Sequence, residues 1–185
     1  ETSGGNTLLA DGSSANGDVR ISSDCEVAYG STLPTTTTTP CTNNINRRGW
    51  FVDLISPVYG LQGEKVVSMP ILRHGVVIFP TLIPKTNVCT AGGTSWLMEL
   101  DQFSGARLSG TPIDLNNDGK VDDNDMVMIN GVAVAASGVK SQVGIIDTPA
   151  VINCENGIDC KYTSGSSANL WLVKEKAPES VAPTL

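Results

Sequence analysis

Histidine is almost missing from this chain: His74 stands alone, and none of the five cysteines belongs to a C-x-x-C pair. Those shortages remove the usual ligands of zinc and haem. No run of about 18 apolar residues occurs, so no segment has the length and character of a membrane-spanning helix. Basic residues are few and scattered. Only Arg47 and Arg48 are adjacent, and the net charge is −7, so a phosphate backbone would find no clustered positive surface. With one histidine, no compact Ser/His/Asp or Cys/His arrangement is available for nucleophilic catalysis, and the chain is read as a non-enzyme. The first residues, ETSGGN, lack the basic start and apolar core of a signal peptide. They fit either a processed start or a piece of a longer protein.

What is present suits β-structure. The chain has 185 residues, 19 glycines and 10 prolines, with Val, Ile and Thr prominent among the rest, which favours short strands joined by turns. Nothing sustains a 3.6-residue period. Predicted strands are VRIS (19–22), EVAY (26–29), WFVDL (50–54), KVVSM (65–69), VVIFPTL (76–82) and SWLMELD (95–101). STLPTTTTTP (31–40) is a low-complexity, exposed loop and a candidate for O-glycosylation. The expected organisation is a flexible, Thr-rich extension over 1–48, a β-domain over 49–174 and a polar tail over 175–185.

Cys25 and Cys41 bracket the Thr-rich segment, and Cys154 and Cys160 bracket ENGID, so both brackets read as disulfides closing surface loops. In the chain-entropy model a loop of about 15 residues closed this way gains roughly 3 kcal/mol. Cys89 is then the odd one. Spacing alone leaves 15 assignments open, five choices of the odd cysteine with three pairings each. The competing reading is five reduced thiols. Disulfides place the protein outside the cytoplasm.

The most informative stretch is DLNNDGKVDDND (114–125). Calcium takes six to eight oxygens, and a 12-residue loop supplies them from positions 1, 3, 5, 7, 9 and 12 with glycine at 6. Here these are Asp114, Asn116, Asp118, the Lys120 carbonyl, Asp122 and Asp125, with Gly119 at the turn. Asp125 is one methylene shorter than the usual Glu. Without a cation the carboxylates repel, so the calcium-free loop is expected to be disordered. Pro112 and GARLSG precede the loop, so no helix enters it; MVMI (126–129) follows as a helical turn or a strand. A lone loop is neither a paired EF-hand sensor nor a dockerin. The competing reading is a solvated acidic turn.

Two stretches share a pattern of strand, proline, apolar run, polar turn and strand. One is VVSMPILRHGVVIFPTL with SWLMELDQFSGARL, and the other VGIIDTPAVI with KYTSGSSANLWLVKE. With Leu-Asp-x-x-Ser-Gly at 100–105, the pattern resembles a blade of a quinoprotein-type β-propeller. At about 45 residues per blade the chain holds only part of a propeller. GWFVDL, GEKVV, AGGTSWLMELD, the 114–125 loop, ASGVKSQVGIIDTPAVI and KYTSGSSANLWLV occur in an order similar to the C-terminal part of the PilC/PilY family, type IV pilus biogenesis factors and tip adhesins. This resemblance spans residues 49–174. It implies an all-β, antiparallel propeller with a single EF-hand-like calcium loop, and hence a calcium-binding, pilus-associated protein at the cell surface acting in pilus biogenesis, extension and retraction, and adhesion. It implies as partners pilin or minor pilins, the N-terminal part of a larger pilus protein and a host or surface receptor, with no nucleic acid. The family's von Willebrand A-like region is absent from this sequence, and no Arg-Gly-Asp triplet supports integrin binding.

Quinoprotein propellers host dehydrogenases, but fold analogy alone is a weak warrant, and Glu64, Glu99 and Asp101 read as solvated or structural. A third possibility is a structural or adhesive subunit in which calcium only pins a loop. Trp50, Trp96 and Trp171 read as core, and His74 beside Gly75 as a turn residue.

Overall fold

A computed structural model describes residues 7–24, 48–86, 92–110, 113–154 and 157–176. EVAY, the Thr-rich loop, Cys25, Cys41 and Cys89 lie outside the described residues. Among the described residues the fold is all-β, every strand pair is antiparallel and there is no α-helix. The main sheet has five strands in the order β1 (Val19–Arg20), β9 (Gly138–Lys140), β6 (Trp96–Asp101), β3 (Val76–Pro80) and β2 (Ile71–Arg73). A second sheet has β11 (Ile158–Ser164) between β10 (Ala150–Asn153) and β12 (Leu170–Lys176). Two small hairpin sheets join β4 (Ile83–Pro84) to β5 (Gly93–Thr94), and β7 (Val127–Ile129) to β8 (Val132–Val134). The described strands thus form sheets of five, three, two and two strands, not a closed ring of four-stranded blades.

β6 is central and covered on both faces, which is why WLMELD reads as a nearly unbroken apolar run. Successive side chains point to opposite faces. Trp96, Met98 and Leu100 join Phe79 and Ile83 in one core. Leu97 joins Ile78, Val139, Val143 and Val173 in the other. Each fully buried side chain of this size contributes roughly 1.5–3 kcal/mol of burial. Glu99 alternates with Met98 and so faces the same side as Leu97.

Pro70 and Pro149 each precede a strand, β2 and β10, as the sequence pattern anticipated. His74 and Gly75, with φ of 48° and 85°, form the two-residue turn between β2 and β3, and MVMI resolves as strand β7. Trp96 is core, while Trp50 and Trp171 are half-buried against the two cores.

Other expectations are corrected. WFVDL and KVVSM are not strands; Lys65 alone bridges to Leu82. They are apolar enough, but among the described residues no neighbouring strand takes their backbone groups, and Phe51, Ile55, Leu61 and Met69 face solvent. Residues 7–24 are not a free extension: Leu9 and Val19 are buried in the larger core, and β1 pairs with β9. β12 runs through Lys176, so Glu175 and Lys176 are strand rather than tail.

Candidate metal site

The loop 114–125 is held at both ends. Ile113 bridges to Glu175, and the Asp114 amide donates to the Lys174 carbonyl at 3.1 Å, so β12 anchors the entry. At the exit, Asp123–Asp125 make one 3-10 turn capped by Asp122, whose side chain accepts the Asn124 amide at 2.9 Å. β7 follows at once and pairs with β8 through the Asn130–Gly131 turn.

Between these anchors the side chains organise their own backbone. Asn116 Oδ1 accepts the Asp118 amide at 3.0 Å and Asp118 Oδ1 accepts the Lys120 amide at 2.8 Å. Such side-chain-to-backbone turns are what short Asn and Asp residues favour. Gly119 has φ of 89°, which a side-chain-bearing residue adopts only under strain, and its amide donates to Asp114 Oδ2 at 3.1 Å. Asp114 and Asn116 are half-buried, whereas Asp118, Lys120 and Asp122 are exposed.

Asp125 differs from the rest. It is buried, and both its oxygens are taken by backbone amides: Oδ1 by Leu115 and Asn116 at 2.8 and 3.1 Å, Oδ2 by Asp122 at 3.0 Å. It was expected as the sixth ligand. Its observed bonds make it the frame that ties the start of the loop to its end. Burial pushes the Asp125 carboxyl above the ordinary carboxylate value against the pull of those amides, and the Asp114 charge adds to the rise. Asp114 is likewise raised, by burial first, with the Asp118 charge adding and amides and Lys174 opposing.

The donor set tests the fit to calcium. Among the described residues no three His, Cys, Asp or Glu side chains are gathered closely enough to hold a metal ion as they stand. The available donors, however, are all oxygen, as a hard cation requires. The decisive atom is Asp114 Oδ1, which is buried without a hydrogen-bond partner. A buried, raised carboxylate oxygen with no partner is costly, and a cation would satisfy it. Asp114, Asn116, Asp118, the Lys120 carbonyl and Asp122 therefore fit the group.

Two contributors escaped the sequence reading. Asp11 accepts from Asn116 Nδ2 at 3.2 Å, across 105 residues of sequence. Lys174 brings its ammonium beside Gly119, where an added Cβ would lie 3.3 Å from Nζ. A cleft of about 290 Å³ next to the loop is lined by Asp114, Asn117, Lys140, Trp171 and Lys174 among others. Of the sequence-predicted cysteines, Cys154 and Cys160 are joined, with Cα atoms 5.8 Å apart, and they close the turn between β10 and β11.

No family model matches the chain. Over 99 residues it is 35% identical to a type IV pilus biogenesis factor PilY1 homolog of Xylella fastidiosa, an overlap covering 53% of this chain and 8% of that protein. Over 95 residues it is 34% identical to the type IV pilus biogenesis factor PilY1 of Pseudomonas aeruginosa, covering 51% and 8% respectively. The matched segment is similar to part of these PilY1 proteins. The chain spans less than a tenth of the length of these curated relatives. The crystal structure of the Pseudomonas aeruginosa PilY1 C-terminal domain shares its fold, with a TM-score of 0.52 and 24% identity over 64% of this chain and 21% of that one.

Proposed function

We propose that this chain is a calcium-binding, non-enzymatic part of a pilus-associated cell-surface protein that acts in type IV pilus biogenesis, extension and retraction, and adhesion. The observation that carries calcium binding is the partnerless, buried Asp114 Oδ1 inside a loop whose backbone is already folded by its own Asn and Asp side chains. Calcium would be held by Asp114, Asn116, Asp118, the Lys120 carbonyl and Asp122. Its contribution there is charge neutralisation and cross-linking of the loop. The loop's anchors on β12 would pass that rigidity to the second sheet. The PilY relationship supports the pilus context, with pilins or minor pilins, the remainder of a longer pilus protein and a surface receptor as partners.

The sheets are read as part of a β-propeller completed by further blades. The exposed apolar side chains of Phe51, Leu61, Met69 and Leu72, the last on edge strand β2, suit burial against such a neighbour.

The test is thermal melting with calcium and with chelator, in the wild type and in Asp118→Ala. Calcium should raise the wild-type midpoint and leave the variant's unchanged; equal wild-type midpoints would refute the reading. A second reading, a structural or adhesive subunit in which calcium only stabilises the loop, draws on the way the loop is pinned to β12 and β7. Deleting the gene separates them: loss of pili supports a biogenesis role, whereas intact pili with lost adhesion supports the second.

A further inference from the structure

Lys161 lies on β11 and is fully buried. Its ammonium meets two carboxylates, that of Glu99 on β6, itself fully buried, and that of Glu175 on β12. No water-exposed surface lies at Lys161 Nζ or on the Glu99 side chain. The second oxygen of Glu99, Oε2, is buried and no N–H or hydroxyl reaches it, while the Glu175 carboxyl lies within hydrogen-bonding reach of Glu99. A buried ion cluster repays its desolvation only when its remaining lone pairs are satisfied, and here one is not. The arrangement instead holds an amine against a carboxyl group in a dry site with a second carboxyl alongside. That is the geometry of intramolecular condensation, where fixed proximity replaces activation of the acid.

We infer that Lys161 Nζ and Glu99 Cδ become joined by an isopeptide bond, with Glu175 as the proton relay. The step balances without a co-reactant. Transfer of one proton from the Lys161 ammonium to the Glu99 carboxylate gives a neutral amine and a neutral acid, the forms a water-excluded site favours. The amine nitrogen attacks Glu99 Cδ. Glu175 takes the surplus proton from nitrogen and passes its own to the departing oxygen. The C–O bond breaks, one water leaves and Glu175 ends as it began. Burial, reinforced by the Glu99 charge, lifts the Glu175 carboxyl to about 8 against the opposing Lys161 ammonium, so it holds the proton it must donate near neutral pH. The unpartnered Glu99 oxygen belongs to the carboxyl that loses water.

The bond would weld the central strand of the five-stranded sheet to the central strand of the three-stranded one. Arg73 on β2 and Asp159 on β11 already pair across the same junction. A covalent tie there suits a protein exposed to pulling forces.

The test is the intact mass of the reduced, denatured wild-type chain, followed by peptide mapping. The expected result is a mass short by one water and a branched peptide carrying both Glu99 and Lys161. Mapping matters because dehydration at Asp11–Gly12 or Asp118–Gly119 removes the same mass. A full-length mass, a water loss mapped to either Asp-Gly pair, or a branch from Lys161 to Glu175 overturns the proposal. Glu175→Gln should restore the full mass; a branched peptide persisting in that variant would remove Glu175 from the relay.

Discussion

The carboxylate of Asp125 accepts the amide of Leu115, ten residues earlier in the chain, at 2.8 Å. With the Asn116 and Asp122 amides also bound, Asp125 is the knot of the loop in a structure that holds no metal. Asp125→Ala should therefore destabilise the protein in chelator as well as in calcium. Three amides lose their acceptor in a buried setting, so the cost is about 2–4 kcal/mol. Chemical denaturation in both conditions measures it. A loss confined to calcium-containing buffer would return Asp125 to the ligand set.

Asp118 should behave in the opposite way. Its side chain is exposed and supports one amide, that of Lys120. Asp118→Ala should leave the calcium-free stability within about 1 kcal/mol of wild type, as surface changes usually do. It should remove the gain from calcium, which at a ligand concentration 100 times the dissociation constant is about 2.7 kcal/mol for one site. Titration calorimetry of both proteins gives the binding side of the comparison.

The loop was legible because its chemistry is local: residue type, spacing and one glycine define it within 12 positions. Strands β3 and β6 were legible for a similar reason, being short apolar runs between turn residues, whereas MVMI left helical turn and strand open and only the pairing with β8 decides for β7. The failures lie where a partner decides the outcome. Trp50 to Leu54 and Lys65 to Met69 have strand-like composition, but a strand exists only when another backbone accepts its hydrogen bonds. The junction between the two sheets was invisible because Glu99, Lys161 and Glu175 come from three distant segments. One signal was available: an acid in the middle of the apolar run SWLMEL, which in a strand covered on both faces must be buried and must find a cation.

Gly105 offers a test of the second core. Its φ is 66°, and an added Cβ would sit 2.3 Å from the Trp50 ring. The Trp50 indole meanwhile donates to the Gln102 carbonyl at 2.9 Å, so the ring cannot retreat without losing that bond. Gly105→Ala combines a left-handed backbone penalty with overpacking, together about 2–4 kcal/mol. Displacement of Trp50 should appear as a red-shifted emission; an unshifted spectrum at wild-type stability would show that the turn relaxes freely.

Arg73 grips Asp159 with two bonds, Nε to Oδ2 at 2.6 Å and Nη2 to Oδ1 at 2.9 Å. Asp159 is fully buried and Arg73 mostly so. Burial raises the Asp159 carboxyl, but the Arg73 hydrogen bonds and charge outweigh it, so the group ends below its ordinary value. Arg73→Met should strand a buried carboxylate at a cost near the low end of roughly 3–5 kcal/mol. Arg73→Lys keeps the charge without the two-pronged geometry and should recover only part of it. Denaturant midpoints of the three proteins rank these terms.

Glu175 predicts a pH dependence of definite sign. Its folded value, about 8, lies above the ordinary 4.5, because burial and the Glu99 charge disfavour ionisation. Between those values the folded state holds a proton that the unfolded state has released. Stability from this group is therefore fully present below the ordinary carboxylate value and falls as pH rises through about 8. Denaturation from about pH 5 to about pH 9, with calcium present so that the raised Asp114 does not contribute, should show stability decreasing with pH. Glu175→Gln cannot titrate, so its profile should lose that slope whatever its absolute level, and the slope, not the level, is the quantity to compare. A wild-type profile that is flat or rising over this range would place the Glu175 proton elsewhere and leave the junction as a permanently charged cluster.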